Sequence, residues 1–596
     1  MAPIGRHRIR MESLWKPYIA RLCACILLIA STGVLSALGQ SSRLKITSPA
    51  KDNSIVTDTP AYFRGIADPS GSLFLNGIKV PVYGTGVFAA LLPLQDGANE
   101  LQVWHVLGTD TLREQMVVVY EKPAPPQPTK GFAIEYVRIL PGGNLWLQPG
   151  DPLQVEMKAT PGMQATFYNH IPLFEVDTAE AGVTGIYRGE YIIRASDDLA
   201  DVPVSFSLHD KTPQKTITAK SNQRITVLNQ SHVLTGLTIG EAPLYYGLGS
   251  DRLGGAKMGY LDSLVKLEVT GRMNNMYRVR LSSQAQAYIP VNSLRLQEGA
   301  HFRPYSLTGS WSVTTDSTYD FVRIGLAARL PYTHVVQQHP TRIVVDIYGA
   351  VSNSNWITQK EGLVAIENVW YEQVSKDIFR VFIELKEEQL WGYQVGYEGN
   401  RLIIRVKPQP DTLDLRGLTV AVDAGHGGSN SGAAGMTGAV EKTLNLAMAL
   451  KLKAALEAAG SNVIMTRTRD QSVRNSYRLQ RFQQSDADLL ISIHCNSSRN
   501  PIVQGVSTYY RHQAYRPLSR HILAEMRKLG LADFGNVGGF NFTLNAPTEL
   551  PTVLVEVGFL SSPADEERLL APGFHDEVAE RIVEGVRGFL KEAGGQ

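Results

Sequence analysis

The chain has 596 residues, of which 43% are hydrophobic and 19% charged, and its formal net charge is +2. Because single domains usually hold about 100 to 200 residues, this length indicates several domains rather than one compact core. The ordinary globular composition argues against wholesale disorder and against a polytopic membrane protein.

The N-terminal segment has the composition of an export signal. A basic stretch ends at Arg21 and is followed by the apolar run LCACILLIASTGVLSALG. We therefore predict that residues 1–39 are a signal peptide and that the chain is exported, to a periplasm or to the cell wall and extracellular space. An uncleaved membrane anchor is the alternative, although Ser31, Thr32 and Gly33 interrupt the apolar run. After cleavage, no membrane contact is expected.

The charge balance changes once this segment is removed. Residues 1–39 contain five of the 58 Lys and Arg residues and one of the 56 Asp and Glu residues, which leaves 53 basic against 55 acidic residues. Nucleic acid is therefore not expected as a partner, because its binding depends on neutralising phosphates. Cys495 is the one cysteine left, so an internal disulfide is excluded and core burial and metal binding must stabilise the fold.

Two β modules are predicted before residue 226. Short alternating strands separated by turns fill residues 43–121 and predict a small antiparallel sandwich, and this segment resembles bacterial immunoglobulin-like modules. The run KPAPPQPTK at 122–130 predicts a stiff proline-rich linker. Residues 131–225 repeat the all-β pattern and predict a second sandwich of the same kind.

Two further β modules follow. Residues 226–298 end in YRVRLSSQAQAYIPVNSL, which resembles the end of bacterial SH3-like modules, so a small barrel is predicted. Residues 305–408 contain TRIVVDIYG, similar to a strand of the AMIN-like targeting modules that often precede peptidoglycan amidases. The sequence leaves open whether the β modules bind the cell wall or serve only as spacers.

The pattern changes at about Leu415. LTVAVDA, NVIMT, DLLISIH and TVLVEV are continuous apolar runs, and helices are predicted between and after them at 440–460, 477–485, 516–529 and 575–591. Continuously apolar strands that alternate with helices indicate a mostly parallel sheet flanked by helices. The predicted fold class is therefore multidomain, with all-β N-terminal modules followed by an α/β catalytic domain at 415–592.

Four side chains in this domain follow strands or start helices: His426 in DAGHGG, Glu441 in VEKTLNL, His494 in DLLISIH and Glu556 in TVLVEV. Ligands gather at the carboxyl ends of strands in open α/β sheets, so these groups can converge on one crevice. Two imidazoles and a carboxylate suit zinc, and three protein ligands leave one position open for water. Taken singly, each residue also has a structural explanation, as a hydrogen-bonded histidine, a helix-start carboxylate or a paired buried charge.

Residues 416–592 resemble the zinc-dependent N-acetylmuramoyl-L-alanine amidases of bacteria that have a GHGG loop. The resemblance rests on VDAGHGG, EKTLNLAMAL, VIMTRTRD, ADLLISIHCNSS and PTVLVEVGFLSSPADEERLL, which occur in the family's order. It implies zinc as the cofactor, with His426, Glu441 and His494 as zinc ligands and Glu556 as the catalytic acid/base. It also implies peptidoglycan as the substrate, with a division-site or activator protein as a further candidate partner.

The implied reaction cleaves the amide bond between the lactyl group of N-acetylmuramic acid and L-alanine of the stem peptide, for cell-wall remodelling or daughter-cell separation. Zinc would acidify a water and polarise the carbonyl, and Glu556 would transfer the proton. A zinc peptidase that cuts within the stem peptide and an inactive wall-binding protein remain alternatives.

Several other residues of this segment have candidate roles. Arg478 and Asn496 are candidates for substrate or oxyanion contacts, with structural roles as the alternative. Cys495 is disfavoured as a fourth ligand, because adjacent strand residues point to opposite faces. Asn430 stands where the family usually has aspartate, and His512 is expected at the surface.

Overall fold

A computed structural model describes the chain over residues 44–211, 214–229, 234–249, 254–298 and 304–595. The predicted signal peptide lies outside the described residues. Within them, no helix is both long and apolar enough to cross a membrane. Strands dominate as far as residue 406, and a sheet with flanking helices follows from residue 419.

The first module packs two sheets around one apolar core. Its strands are β1 (Lys45–Ser48), β2 (Ser54–Val56), β3 (Ala61–Ile66), β4 (Ser72–Leu75), β5 (Ile78–Val80), β6 (Val87–Leu92), β7 (Gly97–Leu107) and β8 (Asp110–Tyr120). One sheet has the order β1-β3-β6 and the other β2-β8-β7-β4-β5. Phe63 and Phe88 of the first sheet meet Leu73 and Val103 of the second. The alternating apolar residues therefore face inward, as the period of a strand requires.

The second module is joined by backbone hydrogen bonds to residues 234–298, which we call the barrel segment after its predicted fold. Strand β10 pairs in parallel with β16 and antiparallel with β20, so one sheet continues from the 131–229 segment into the 234–298 segment. The strands are β9 (Ile134–Leu140), β10 (Leu145–Leu147), β11 (Pro152–Ala159), β12 (Gln164–Phe167), β13 (Ile171–Glu175), β14 (Ile186–Ile192), β15 (Val202–Lys211), β16 (Gln214–Val227), β17 (Leu234–Thr238), β18 (Ala242–Tyr245), β19 (Lys257–Leu261), β20 (Lys266–Met273), β21 (Met276–Arg280), β22 (Gln286–Pro290) and β23 (Leu294–Glu298), with the short helix α1 (Thr178–Ala181) after β13. The immunoglobulin-like and SH3-like labels and the module boundaries stay predictions.

The next module shares its core with the barrel segment. It contains β24 (Ser306–Leu307), β25 (Trp311–Thr315), β26 (Asp320–Gly325), β27 (Tyr332–Gln337), β28 (Arg342–Tyr348), β29 (Ala350–Val351), β30 (Thr358–Gln359), β31 (Ile366–Ser375), β32 (Ile378–Leu385), β33 (Tyr393–Glu398) and β34 (Arg401–Val406). A single apolar cluster runs from Ala242 through Val406 and includes Ala514 and Tyr515 of the C-terminal domain. Trp391, by contrast, is buried in the core of the C-terminal domain, where its ring centroid is 5.7 Å from that of Phe589.

The C-terminal domain is a six-stranded sheet of order β36-β35-β37-β40-β38-β39. Its elements are β35 (Thr419–Ala424), α2 (Glu441–Ala458), β36 (Asn462–Met465), α3 (Asn475–Gln483), β37 (Leu489–Asn496), β38 (Val506–Tyr509), α4 (Arg516–Met526), β39 (Asp533–Val537), β40 (Thr552–Phe559), α5 (Pro563–Leu570) and α6 (Phe574–Ala593). Strands β36, β35, β37 and β40 are parallel, whereas β38 and β39 run in the opposite direction. Helices α2, α4 and α6 cover one face, and Phe482 of α3 packs on the other.

Candidate metal centre

Three side chains converge at the carboxyl end of the parallel strands. The donor atoms of His426, Glu441 and His494 all lie within 4.8 Å of one another. Glu441 Oε1 is 3.1 Å from His426 Nε2 and 2.9 Å from His494 Nδ1. His426 follows β35, Glu441 is the first residue of α2, and His494 lies in β37, so the α/β topology brings together groups that are far apart in the sequence.

Backbone conformation and glycines make room for these ligands. His426 has a positive φ of 60°, which is uncommon for a residue with a side chain and is typical of functional sites. A Cβ atom at Gly425 would lie 2.3 Å from the ring of His494, and one at Gly432 would lie 2.3 Å from Glu441 Oε2. Glycine is therefore required at both positions, because any side chain would displace a candidate ligand.

Asn430 fixes the orientation of His426. Asn430 Oδ1 accepts a hydrogen bond from the backbone N–H of Gly432, at 3.2 Å, and lies 3.0 Å from His426 Nδ1. Since that atom is an acceptor, His426 Nδ1 donates a hydrogen bond to it, and Nε2 faces Glu441. Asparagine thus supplies the acceptor that orients a ligating imidazole, at the position where the family usually has aspartate.

Glu441 is held as a carboxylate by several donors. Ala433 N donates to Oε2 at 2.8 Å, and Asn445 Nδ2 and Cys495 N donate to Oε1 at 3.1 and 3.2 Å. Burial alone would raise the pKa of Glu441, but its hydrogen bonds with His426 and His494 outweigh burial and hold that pKa well below its ordinary range. The site therefore presents an ionised carboxylate between two imidazoles.

The donor set fits a zinc ion. Tetrahedral ligands about 2.1 Å from one ion are about 3.4 Å apart, close to the two separations of 3.1 and 2.9 Å measured around Glu441 Oε1. Two nitrogen donors and one oxygen donor form the ligand type found at catalytic zinc sites, where a fourth position stays open. His426, Glu441 and His494 are thus the residues that would hold the ion.

Glu556 lines the same cavity as the three candidate ligands. It lies opposite His494 in the register of the neighbouring strands β37 and β40. Its side chain is buried, and Oε2 has no hydrogen-bond partner among the described residues. Burial raises the pKa of Glu556 to about 7, with His494 lowering it and Glu441 raising it further. A carboxyl group poised near neutral pH is suited to accept and return a proton.

A buried ion pair lies beneath the site and was not singled out by sequence reasoning. Asp423 Oδ1 accepts hydrogen bonds from Arg478 Nη1 at 2.6 Å and Thr466 Oγ1 at 2.7 Å, and Oδ2 accepts one from Ser492 Oγ at 2.7 Å. Arg478 Nη2 donates to the carbonyl of His426 at 2.6 Å. The signal was the charged residue within the apolar run LTVAVDA, since a buried charge requires a partner.

The remaining sequence candidates have distinct environments. Arg478 is buried with its guanidinium engaged by protein acceptors, which favours a positioning role over a substrate contact. Asn496 lines the cavity and donates to the Tyr509 hydroxyl at 3.2 Å. Cys495 is a buried free thiol packed in the apolar core, and it is not part of the three-residue donor group. The expectation that His512 is a surface residue was wrong, because it is half-buried and hydrogen-bonds to the carbonyl of Ala546.

The C-terminal half of the chain is similar to known cell-wall amidases. Residues 420–588 match the family model for N-acetylmuramoyl-L-alanine amidase, and residues 312–406 match the AMIN domain. The sequence is 32% identical over 203 residues to a probable cell wall amidase, LytH, of Staphylococcus saprophyticus, which covers 34% of this chain and 68% of that protein. It is 24% identical over 363 residues to the N-acetylmuramoyl-L-alanine amidase AmiC of Neisseria meningitidis, which covers 46% and 87%.

Among solved structures, the catalytic domain of CwlV, an N-acetylmuramoyl-L-alanine amidase from Bacillus (Paenibacillus) polymyxa var. colistinus, is 34% identical. The match covers 29% of this chain and 98% of that chain, with a TM-score of 0.28. The resemblances to the amidase family and to AMIN modules are confirmed by the family matches.

Proposed function

The chain belongs to the N-acetylmuramoyl-L-alanine amidase family and carries an AMIN domain, and from that premise we propose that it is a zinc-dependent peptidoglycan amidase. The bond cleaved would be the amide between the lactyl group of N-acetylmuramic acid and L-alanine of the stem peptide. The observation that carries this proposal is the convergence of His426, Glu441 and His494 with the buried carboxyl of Glu556 in one cavity, where Oε2 of Glu556 has no partner among the described residues.

The residues divide the chemistry between them. Zinc, when held by the three ligands, would supply Lewis-acid polarisation of the scissile carbonyl and acidification of water. Glu556 would accept a proton from the attacking water and return it to the departing amine of L-alanine, so that the proton balance closes without another group. Arg478 would act by positioning, because it holds the carbonyl of His426 and the carboxylate of Asp423.

The cavity has the volume of a typical ligand site. Its volume is about 610 Å³, within the range of about 300 to 1,000 Å³ that is usual for ligand sites. Phe542, Leu544 and residues of the loop from Gly425 to Ala433 line it. The apolar and polar walls together suit a substrate that has a sugar ring and a peptide backbone.

Export to the periplasm or cell wall, peptidoglycan as the partner and a role in wall remodelling or daughter-cell separation form part of this proposal. The AMIN domain, residues 312–406, would hold the enzyme on the wall or at a division site. An activator protein would act on this exported form. The same chemistry applied to a bond within the stem peptide would make the chain a zinc peptidase, and the products distinguish the two reactions.

The test is the identity of the released fragment. Purified protein is incubated with peptidoglycan sacculi with and without a chelator, and the soluble products are identified by mass spectrometry. Intact stem peptides with a free N-terminal alanine are expected, and they should be lost with chelator and restored by added zinc. Shortened peptides would instead identify a peptidase, and absence of release, with Glu556→Gln as the inactive control, would contradict enzymatic activity.

A further inference from the structure

A second cavity lies where three parts of the chain meet. We call it the junction cavity, and its volume is about 870 Å³. Strand β19 of the barrel segment, strands β27 and β33 of the AMIN domain, helix α3 and the 539–549 segment of the C-terminal domain line it. None of the zinc ligands or Glu556 is among the lining residues, so the cavity is a site separate from the metal centre.

Two cationic side chains line this cavity, Arg511 and Lys257. Arg511 Nη2 donates to the carbonyl of Lys257 at 3.1 Å, while the buried Nη1 has no hydrogen-bond partner among the described residues. Lys257 Nζ donates to the Tyr260 hydroxyl at 3.1 Å. Neither cation forms an ion pair within the described part of the chain. Burial lowers the pKa of both groups, because holding a cation away from water is costly. The negative charge of Glu241 opposes this effect at Lys257.

Acidic side chains line the same cavity. Asp262 accepts hydrogen bonds from the Tyr332 hydroxyl at 3.0 Å and from Tyr397 N at 2.9 Å, and Glu549 accepts one from Gln483 Nε2 at 2.9 Å. Glu241 has no hydrogen bond or ion pair with any described residue. Burial raises its pKa, the charges of Glu549 and Asp262 add to the effect, and the charge of Lys257 opposes it. Glu241 is therefore the acidic group that remains available to an external cation.

The junction cavity adjoins the metal cavity. Thr543 lines both cavities. Helix α3 also separates them, with Asn475 and Arg478 facing the metal cavity and Ser476 and Leu479 facing the junction cavity. A substrate whose scissile bond lies at the metal could therefore extend past Thr543 into the second cavity.

We propose that the junction cavity binds the distal, zwitterionic end of the stem peptide, with a carboxylate held by Arg511 and Lys257 and an ammonium group held by Glu241. This inference rests on the proposed amidase function. An extended peptide continues beyond the bond that is cut, and a diamino acid near its end offers both charges. Arg511, which lines the cavity, supplies the specific contact, since guanidinium groups bind carboxylates through paired, charge-assisted hydrogen bonds.

The test is calorimetric binding of a stem tripeptide, L-alanyl-γ-D-glutamyl-diaminopimelic acid, to the full zinc-loaded chain. Two derivatives serve as probes, one with its carboxyl groups amidated and one with its side-chain amine acetylated. Arg511→Gln is expected to weaken binding of the free acid by about 10- to 100-fold and to remove its advantage over the amide. Glu241→Gln should remove the advantage of the free amine over the acetylated peptide.

Arg516→Gln, at the exposed start of α4, is the matched control and should bind the tripeptide as the wild type does. If Arg511→Gln fails to fold, as judged by its thermal midpoint, Lys257→Gln provides the second variant. Equal wild-type affinity for the acid and amide peptides, or a preference for the acid that persists in both variants, would overturn the proposal. Tripeptide binding without release of stem peptides from sacculi would instead contradict the amidase function and leave the cavity assignment standing.

Discussion

Replacement of Glu556 by glutamine tests the buried carboxyl group directly. The side chain is 6% exposed, and its Oε2 has no hydrogen-bond partner among the described residues. Burial raises its pKa from 4.5 to about 7, and a difference of this size corresponds to about 3 kcal/mol between the folded and unfolded proteins. Glu556→Gln has nearly the same shape but does not ionise.

The sign of the effect follows from proton binding. Between about pH 4.5 and 7, the unfolded zinc-free chain has an ionised Glu556, whereas the folded chain keeps it protonated. The unfolded state then binds fewer protons, so the free energy of unfolding falls as pH rises through this interval. Glu556→Gln does not show this fall in the free energy of unfolding, because its side chain does not ionise. We therefore expect the free energy of unfolding of the variant, relative to that of the wild type, to rise by about 3 kcal/mol between pH 4.5 and 7.

The assay is urea unfolding of zinc-free wild type and variant at several pH values, following the transition of the C-terminal domain. Glu580→Gln is the control, because this carboxylate is exposed in α6 and water solvates it in both states. A difference between Glu556→Gln and wild type that stays constant from pH 4 to 8 would refute the assignment of a buried, protonated carboxyl. With zinc restored, Glu556→Gln should retain the metal and lose about 10²- to 10⁴-fold in turnover.

Four further outcomes are expected. In wild type, kcat/KM should fall as Glu556 becomes protonated, with a midpoint below 7 because the charge of zinc favours the carboxylate; activity that rises from pH 8 to 5 would exclude it as the base. His494→Ala should lose zinc by elemental analysis, and an unchanged stoichiometry would mean that the ligand set is wrong. Arg478→Met should lower the free energy of unfolding by about 3 to 5 kcal/mol in denaturant titrations, because it leaves Asp423 buried without its cation; a change below about 1 kcal/mol would count against the pair. Cys495→Ala should keep full zinc content, whereas loss of zinc would make the thiol a ligand.

The strands that form the centre of the C-terminal sheet could be predicted because they are continuously apolar. Strands β35, β36, β37 and β40 lie where those runs indicate. Strand β39 was not predicted from the sequence, because DFGNV has no apolar periodicity and its pairing with β38 forms only in the folded chain. Helix α5 was missed because its eight residues are too few to show a helical period, although a proline at its first turn and following acidic residues were a signal.

The site could be anticipated in its ligand types but not in its supporting contacts. Histidine and glutamate after apolar strands are visible in a sequence, whereas the pairing of Arg478 with Asp423 joins residues 55 positions apart. The proton on His426 Nδ1 likewise depends on the orientation of the Asn430 amide. The junction cavity could not be predicted at all, because its walls come from three modules that only the folded chain brings together.

The location of Trp391 affects where the chain can be truncated to isolate the C-terminal domain. Its indole fills space in the C-terminal core, and Tyr393 N donates to the carbonyl of Thr548 at 2.8 Å, a few residues before the strand that bears Glu556. An excised fragment that starts at residue 415 would lose that ring and expose Phe589 to water. Loss of a buried tryptophan costs about 3 to 5 kcal/mol, so a fragment that begins upstream of Trp391 should be more stable than one that begins at residue 415.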